Sequence, residues 1–260
     1  MTEVPSPTVK SADRALQLLE VLADAPGSMS LHELARVMQV PKSSLHAIIR
    51  TMAKRQWLEV DESARVRLGL KSLLVGARYT ETNDQLSTVQ PILDWLSSEL
   101  GETVHFGKLD GAEIVYLAKR ESTHPLRLYS AIGRRLPAHA TALGKAVLSQ
   151  RRPSEVLSIL PEELVRLTPH TITDHATLAE ELAATRARGY AIDNEENTDG
   201  IRCFATPVVS QEPASYALSM SIPVFRLDAA TEADAIALLQ QAQQRIAGQH
   251  RLVARVQPTA

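Results

Sequence analysis

The sequence lacks the features that mark several large classes of protein. Its single cysteine, Cys203, excludes an internal disulfide and a zinc finger built on cysteines. No apolar run approaches the roughly 20 residues that a membrane-spanning helix requires. Residues 1–15 contain no hydrophobic signal core. We therefore expect a cytoplasmic protein, and its hydrophobic share of 44% is enough to build sizeable cores.

Motifs for catalysis and metal binding are also missing. The eight histidines form no HExxH motif. Gly144 and Lys145 depart from a phosphate-binding loop, because His139 stands where the first glycine belongs and Ala146 replaces the Ser or Thr. We therefore predict no enzymatic activity, no cofactor and no metal ion. One alternative stays open, because four histidines could converge in the fold as metal ligands: His105, His139, His170 and His175.

Residues 28–70 have the pattern of a helix, a tight turn, a second helix and a two-stranded hairpin. Ser30 and Glu33 have the spacing of a capping box at the start of a helix over 31–38. The second helix begins at Pro41 or Lys42, since proline is tolerated in the first helical turn. Together with the two strands of the hairpin, this order predicts a winged helix-turn-helix.

The second helix combines an apolar stripe with a basic face. Its apolar residues recur at the i, i+3, i+4, i+7 spacing of one buried stripe: Leu45, Ile48, Ile49 and Met52. From Pro41 to Trp57 there are four basic residues and no acidic one, so the rest of the chain carries −2 − 4 = −6. Basic charge concentrated on one helix is what binding to DNA phosphates requires.

We predict that eight residues contact DNA. They are Lys42, Ser43, Ser44, His46, Ala47, Arg50, Lys54 and Arg67. His46, Ala47 and Arg50 are placed to touch base edges, and Lys42, Lys54 and Arg67 to contact the backbone. Ser43 and Ser44 either bond phosphate or cap the helix. The alternative is that a helix over 10–24 and the two helices after it form a small bundle with no DNA partner.

The chain divides into four segments. Residues 68–79 are apolar at helical spacing, and residues 80–84 form a polar break that is typical of a domain boundary. We predict a flexible tail over 1–9, a DNA-binding domain over 10–70, a linker helix over 71–83 and a second domain over 84–253.

The second domain alternates between helices and hairpins. Helices are predicted over 86–100, 140–150, 153–160, 178–188 and 231–247, and strands over 102–109, 112–119, 126–132, 190–193, 201–209 and 215–222. Asp110-Gly111 is a strong hairpin signal between the first two strands. Since a regular βαβ alternation is missing, the pattern predicts an α+β domain around an antiparallel sheet.

Five segments together carry a resemblance to a known family. They are residues 14–19 (RALQLL), 41–44 (PKSS), 133–146 (GRRLPAHATALGKA), 188–196 (RGYAIDNEE) and 200–205 (GIRCFA). Their sequence and order resemble the signature of IclR-type bacterial transcription regulators. The resemblance covers residues 10–250, which is nearly the whole chain.

The resemblance implies a winged helix followed by an effector domain of GAF-like fold. It also implies a homodimer or dimer of dimers that binds a pseudo-palindromic operator and responds to a small organic or aromatic acid. The residues that correspond to the family's effector pocket are Thr141, Ala142, Leu143, Asp193, Cys203, Ser219 and Ser221. Some members carry Gly-Ala where this chain has Ala142-Leu143, so the size of the pocket differs among them.

Two features of these residues favour a ligand on physical grounds. A helix that begins near Thr141 exposes unpaired backbone N–H groups, which attract a carboxylate. Ser219 and Ser221 lie two apart in an apolar strand, so both hydroxyls face the same side and need partners, either a ligand or neighbouring backbone. Cys203 is more typical of a small buried apolar residue than of a reactive thiol.

An acidic cluster precedes Arg202, which is a candidate salt-bridge partner for it. The cluster, Asp193, Glu195 and Glu196, is either a solvated loop or a group that orients a ligand. The sequence therefore favours a ligand-responsive transcription regulator. Two alternatives are an enzyme that uses the winged helix for targeting and an adaptor whose winged helix binds a protein.

Overall fold

The computed structural model describes residues 9–125, 130–209 and 213–256, with side chains up to residue 248. The chain divides into two compact units, residues 1–83 and 84–260. Within the described ranges, no helix is long and apolar enough to cross a membrane.

The first unit contains four helices and a three-stranded sheet. The helices are α1 (Lys10–Asp24), α2 (Leu31–Met38), α3 (Lys42–Lys54) and α4 (Leu70–Glu81), and the strands are β1 (Met29–Ser30), β2 (Leu58–Val60) and β3 (Arg65–Leu68). The strands pair in the order β1-β3-β2. This arrangement confirms the predicted winged helix-turn-helix, in which β2 and β3 form the wing.

Local sequence signals set the ends of α2 and α3. The Ser30 hydroxyl accepts a hydrogen bond from the Glu33 backbone N–H at 3.3 Å, and the Ser30 N–H donates to the Glu33 carboxylate at 2.7 Å. This is the predicted capping box. Gln39, in the left-handed conformation at φ 54°, ends α2, and α3 begins at Lys42 directly after Pro41. Strand β1 was not predicted, because two residues are too few for a periodic pattern.

One core holds α1, α2 and α3 together. Leu18, Leu34 and Leu45, one from each helix, are fully buried in it. Helix α4, by contrast, buries none of its residues. Its large apolar side chains are 50–66% exposed: Leu70, Leu73, Leu74, Val75 and Tyr79.

The second unit is built on a six-stranded sheet. Its strands are β4 (Thr103–Asp110), β5 (Glu113–Arg120), β6 (Arg135–Pro137), β7 (Ala191–Asn194), β8 (Ile201–Val208) and β9 (Tyr216–Pro223). They pair antiparallel throughout, in the order β6-β5-β4-β9-β8-β7. This sheet confirms the predicted α+β fold.

Helices cover both faces of the sheet. They are α5 (Asp84–Leu100), α6 (Ala142–Leu148), α7 (Pro153–Ile159), α8 (His175–Arg188) and α9 (Ala229–Val256). Helices α5 and α9 share one core with the sheet face that carries Phe106 and Phe204. Helices α6, α7 and α8 share a second core with the opposite face, which carries Ala205 and Ala217. The sheet is therefore the middle of three layers.

The predicted third strand over 126–132 needs correction. Residues 126–129 lie outside the described part of the chain, and residues 130–132 belong to no strand. The strand that pairs with β5 is β6, at residues 135–137. Its three residues, of which the last is Pro137, are too few to show alternation. The predicted helix over 140–150 is also shorter, because a one-turn 3₁₀ helix over Ala138–Ala140 precedes α6.

Candidate functional site

The polar face of α3 points to solvent. Burial of Leu45, Ile49 and Met52 against the first core turns the opposite side of the helix outward. Of the eight predicted DNA contacts, seven are exposed and Ser44 is half-buried; the exposed ones are Lys42, Ser43, His46, Ala47, Arg50, Lys54 and Arg67. All of the eight except Arg67 lie on α3. Their roles in DNA binding stay predictions.

The eighth residue, Arg67, lies on the wing strand β3 and already has a partner. Its Nε and one terminal nitrogen donate to Glu59 Oε2 at 2.9 and 2.7 Å, and both side chains are about half exposed or more. An exposed ion pair contributes at most about 1 kcal/mol. The guanidinium can therefore exchange Glu59 for a phosphate at little cost.

Strand register places polar residues in a row across the second sheet. Asp193 on β7 lies opposite Cys203 on β8, Cys203 lies opposite Ser221 on β9, and Ser221 lies opposite Thr103 on β4. Directly opposed residues point to the same face. The row therefore lies on the face that α6 covers. Ser219, two residues before Ser221, shares that face.

All seven residues of the expected effector pocket line one cavity of about 30 Å³. Four further residues complete its wall: Tyr116, Asn197, Thr198 and Ile201. Three of these four follow β7 or begin β8, close in sequence to Asp193 and Cys203. Tyr116 comes from β5, and no signal in the sequence connects it with the others.

The start of α6 forms one side of this cavity. Thr141 caps the helix, and its hydroxyl accepts a hydrogen bond from the Gly144 N–H at 3.0 Å. The N–H groups of Ala142 and Leu143 are the first two of the helix and have no acceptor within it. A Cβ on Gly144 would lie 2.1 Å from the Ala138 carbonyl oxygen. Glycine at this position is therefore what lets the 3₁₀ turn pack directly against α6.

A buried ion pair lies beside the cavity. Lys145 is 1% exposed, and its Nζ contacts Glu196 Oε1 at 2.5 Å and Glu181 Oε1 at 3.6 Å. Glu181 also pairs with Arg188 at 2.7 Å. Sequence reasoning missed this pair. The sequence carries one signal for this pair, since a lone lysine lies inside the otherwise apolar segment Ala142–Leu148. This signal predicts that Lys145 is buried, but it does not identify the partner of Lys145.

Asp193 is the buried carboxylate of the cavity wall. It is 3% exposed, and its Oδ1 accepts hydrogen bonds from the N–H groups of Glu196 at 2.7 Å and Asn197 at 3.2 Å. Burial and the negative charge of Glu196 raise the pKa of Asp193 to about 7. The two hydrogen bonds and the positive charge of Lys145 act in the opposite direction and lower this pKa. Asp193 therefore changes its charge near neutral pH.

Cys203 lies between Asp193 and Ser221. Its Sγ donates to Ser221 Oγ at 3.2 Å. Burial and the neighbouring Asp193 carboxylate raise the pKa of the thiol well above its usual range. Since the thiolate is the reactive form, the cysteine is unreactive, which agrees with its expected apolar character.

Arg202 does not pair with the acidic cluster, and that prediction is wrong. Its guanidinium contacts Glu232 of α9 at 2.9 Å instead. Successive residues of a strand point to opposite faces. Because Cys203 faces the cavity, its neighbour Arg202 faces α9.

Three of the four histidines bond to separate partners. His105 bonds to the Ser130 hydroxyl, His139 to the Val165 carbonyl and His175 to the Pro161 carbonyl. Across the described ranges, no three His, Cys, Asp or Glu side chains are placed to hold a metal ion.

These two units define a class of protein. An exposed, acid-free second helix on a winged helix is joined to an α/β unit with a cavity that several polar side chains line. This is the architecture of a DNA-binding protein with a separate sensing domain.

Comparison with known proteins identifies the family. The model described as "Bacterial transcriptional regulator IclR C-terminal" matches residues 77–248, and "IclR helix-turn-helix domain" matches residues 11–62. The HTH-type transcriptional regulator XynR of Escherichia coli K12 is 36% identical over 239 residues, which cover 91% of this chain and 95% of that protein. The chain belongs to the IclR family of bacterial transcriptional regulators. It is a regulator of transcription and not an enzyme.

Solved structures share the fold over the same length. An IclR transcriptional regulator from Alicyclobacillus acidocaldarius superposes with a TM-score of 0.85 at 25% identity, over 93% of this chain and 99% of that one. An IclR homologue from Microbacterium hydrocarbonoxydans, solved in complex with 4-hydroxybenzoate, gives a TM-score of 0.79 at 22% identity, over 93% of this chain and 99% of that one.

Proposed function

We propose that this regulator binds a pseudo-palindromic operator in the bacterial cytoplasm as a homodimer or dimer of dimers, and that a small carboxylic acid in the cavity of the second unit controls this binding. The observation that carries the proposal is the cavity itself. Residues from α6, β7, β8 and β9 that are distant in sequence converge on one cavity and present polar groups to it. Polar side chains around a cavity need partners, and a ligand supplies them.

The DNA contacts divide into two kinds. His46, Ala47 and Arg50 occupy the middle of the exposed α3 face and are assigned to base edges in the major groove. Five residues at the helix ends and on the wing are assigned to phosphates: Lys42, Ser43, Ser44, Lys54 and Arg67. Because one recognition helix makes few base contacts, two copies must bind together.

The effector acts by differential affinity. An acid shifts the balance between two arrangements of the dimer only as far as it binds one of them more tightly than the other. In chain order, α4 connects the wing to α5, so it is the segment through which a change in the second unit reaches the recognition helices.

Operator binding is the direct test. Full-length protein is titrated against labelled DNA from upstream of its own gene, with and without a panel of organic acids, while fluorescence anisotropy is followed. We expect tight binding that weakens steeply with salt, and a change in affinity with one acid or more. If the protein does not bind this DNA under any of these conditions, the proposal is wrong.

Arg50→Ala is expected to weaken operator binding by roughly 10- to 100-fold, because a bidentate arginine–base contact is worth about 1–3 kcal/mol. Arg152→Ala is the matched control, since Arg152 is 80% exposed on the second unit, and it should leave the affinity unchanged. An Arg50→Ala protein that binds the operator normally would favour the adaptor alternative, in which the winged helix contacts a protein.

Helix α4 offers the surface for dimerisation. Leu70, Leu73 and Leu74 have the i, i+3, i+4 spacing of one helix face and are 55–66% exposed. A contiguous exposed apolar patch of this kind marks an interaction site. We expect Leu73→Asp with Leu74→Asp to shift the protein toward monomer in sedimentation velocity. Lys71→Gln on the same helix is the control and should keep the wild-type distribution.

A further inference from the structure

The charges around Asp193 do not balance when all of them are ionised. Asp193 and Glu196 are 3% and 4% exposed, and Lys145 is the cation that faces them. The neighbouring carboxylate Glu181 has its own cation in Arg188. Two buried carboxylates therefore share one ammonium group. Removing one negative charge, by adding a proton, makes the cluster neutral.

The hydrogen bonds indicate which of the two buried carboxylates, Asp193 or Glu196, carries the negative charge that no cation balances. Lys145 Nζ is bound to Glu196 Oε1, which also accepts from the Asn194 N–H at 3.2 Å. In the described part of the chain, Glu196 Oε2 has no hydrogen-bond partner although it is buried. Asp193 receives two N–H groups on Oδ1 alone. The carboxylate that lines the cavity is thus the one without a direct cation.

Three other groups that face this cluster add no positive charge at neutral pH. Burial lowers the pKa of His139, which lies near Glu196 and Lys145, so its imidazole is neutral. Burial also raises the pKa values of the Tyr116 hydroxyl on β5 and the Cys203 thiol on β8, which both face Asp193 and stay protonated. Among the described residues, Lys145 is the cation that acts on the Asp193 carboxylate, while Arg134 acts on Tyr116 in the cavity wall. A carboxylate ligand bound beside Asp193 would therefore add a further negative charge to this cluster.

The size of the cavity limits the ligand. One water needs roughly 10–15 Å³ of such space, whereas the whole cavity measures about 30 Å³. A carboxyl group with a short chain fits this space, whereas a benzoate ring is larger than it and would extend beyond it.

We propose that the effector is a short-chain carboxylate that binds together with one proton, which Asp193 carries and donates to the ligand. This inference rests on the proposed function, because it names the ligand class and the specificity-determining residue of the same cavity. Ionised Asp193, a proton from solvent and the carboxylate anion give a complex in which Asp193 is a neutral acid. Its O–H donates to a ligand oxygen, and no covalent bond to carbon changes. The pKa of Asp193, at about 7, places this proton uptake in the physiological range.

The test is ligand affinity as a function of pH. Full-length protein is titrated calorimetrically with acetate, glycolate, lactate, pyruvate and benzoate between pH 6 and 8.5. For a short acid that binds, we expect a dissociation constant that is roughly 30-fold higher at pH 8.5 than at pH 6, since each pH unit above the pKa costs tenfold. At pH 8, measurement in two buffers of different ionisation enthalpy should show uptake of about one proton per ligand.

Asp193→Asn removes the titratable proton and keeps the shape of the side chain. The carboxamide keeps an acceptor for the two N–H groups and a donor for the ligand. We expect it to bind the same acid with an affinity that does not change over this pH range. Asp199→Asn is the matched control, because Asp199 is an exposed carboxylate of the same loop, and it should keep the wild-type pH dependence.

The outcomes distinguish this inference from the proposed function. A short acid that binds with equal affinity across the pH range, or a benzoate that binds while the short acids do not, overturns this inference and leaves a carboxylate-controlled regulator intact. If none of the acids binds, both this inference and the acid effector are wrong. An Asp193→Asn variant that retains the pH dependence of the wild type shows that another group carries the proton.

Discussion

Replacement of Lys145 by methionine is expected to lower the free energy of unfolding of the second unit by about 3–5 kcal/mol. This is the usual cost of removing one partner of a buried ion pair. Lys145 is 1% exposed and faces Glu196 and Asp193, so its loss leaves two buried carboxylates without a cation. Urea unfolding of the full chain in a Trp57→Phe background measures the effect, because Trp95 of α5 is then the one remaining tryptophan.

Two comparisons make the Lys145 result specific. Arg135→Met removes a cation that pairs with Asp110 and Glu113 at the surface, and it should cost less than about 1 kcal/mol. Adding Glu196→Leu to Lys145→Met should recover part of the loss, because replacing a whole buried pair by apolar groups is often neutral. If Lys145→Met costs no more than Arg135→Met, Lys145 does not compensate the buried carboxylates.

Gly144→Ala is expected to destabilise the second unit by about 3 kcal/mol or more, at the upper end of what overpacking costs. Its Cβ would lie 2.1 to 2.5 Å from three backbone atoms of Ala138, which no rotation of a side chain can relieve. The 3₁₀ turn and α6 must therefore separate. Since Thr141, Ala142 and Leu143 begin that helix and line the cavity, ligand binding should be lost together with stability. The same urea experiment measures the first effect, and calorimetry measures the second.

Gly76→Ala is the matched control for Gly144→Ala, because Gly76 is also a glycine inside a helix. No atom lies within 4 Å of the position of its added Cβ. Alanine in an exposed helix interior is more favourable than glycine by about 1 kcal/mol. This variant should therefore stabilise the first unit slightly. Equal and small effects of both substitutions would contradict the close packing of Ala138 on α6.

Both large effects concern the same short helix. Lys145 and Gly144 are neighbours in α6, where one compensates buried charge and the other permits close backbone contact. Neither was identified from the sequence as a functional residue. The helix is nevertheless what holds the wall of the cavity in place, and the proton-linked binding proposed for Asp193 depends on the charge that Lys145 supplies.

The sequence determined the winged helix by itself, down to the residues at which α1 and α2 begin and end. The physical reason is that each of its signals is local. A capping box spans four residues, a buried helix stripe repeats within two turns, and Pro41 marks the start of α3 directly. The same locality made the strands of the second unit predictable within one or two residues, apart from the third.

Tertiary structure decided which residues of the second unit meet. Strand β6 is three residues long and is defined by pairing with β5. The row from Asp193 to Thr103 exists because of the register of four strands, and Lys145 reaches Glu196 across 51 residues of chain. Such contacts depend on how distant segments pack, and no local pattern encodes them. The sequence therefore determined the elements and the exposed basic face of α3, whereas the fold alone decided the partners, the charge and the size of the cavity.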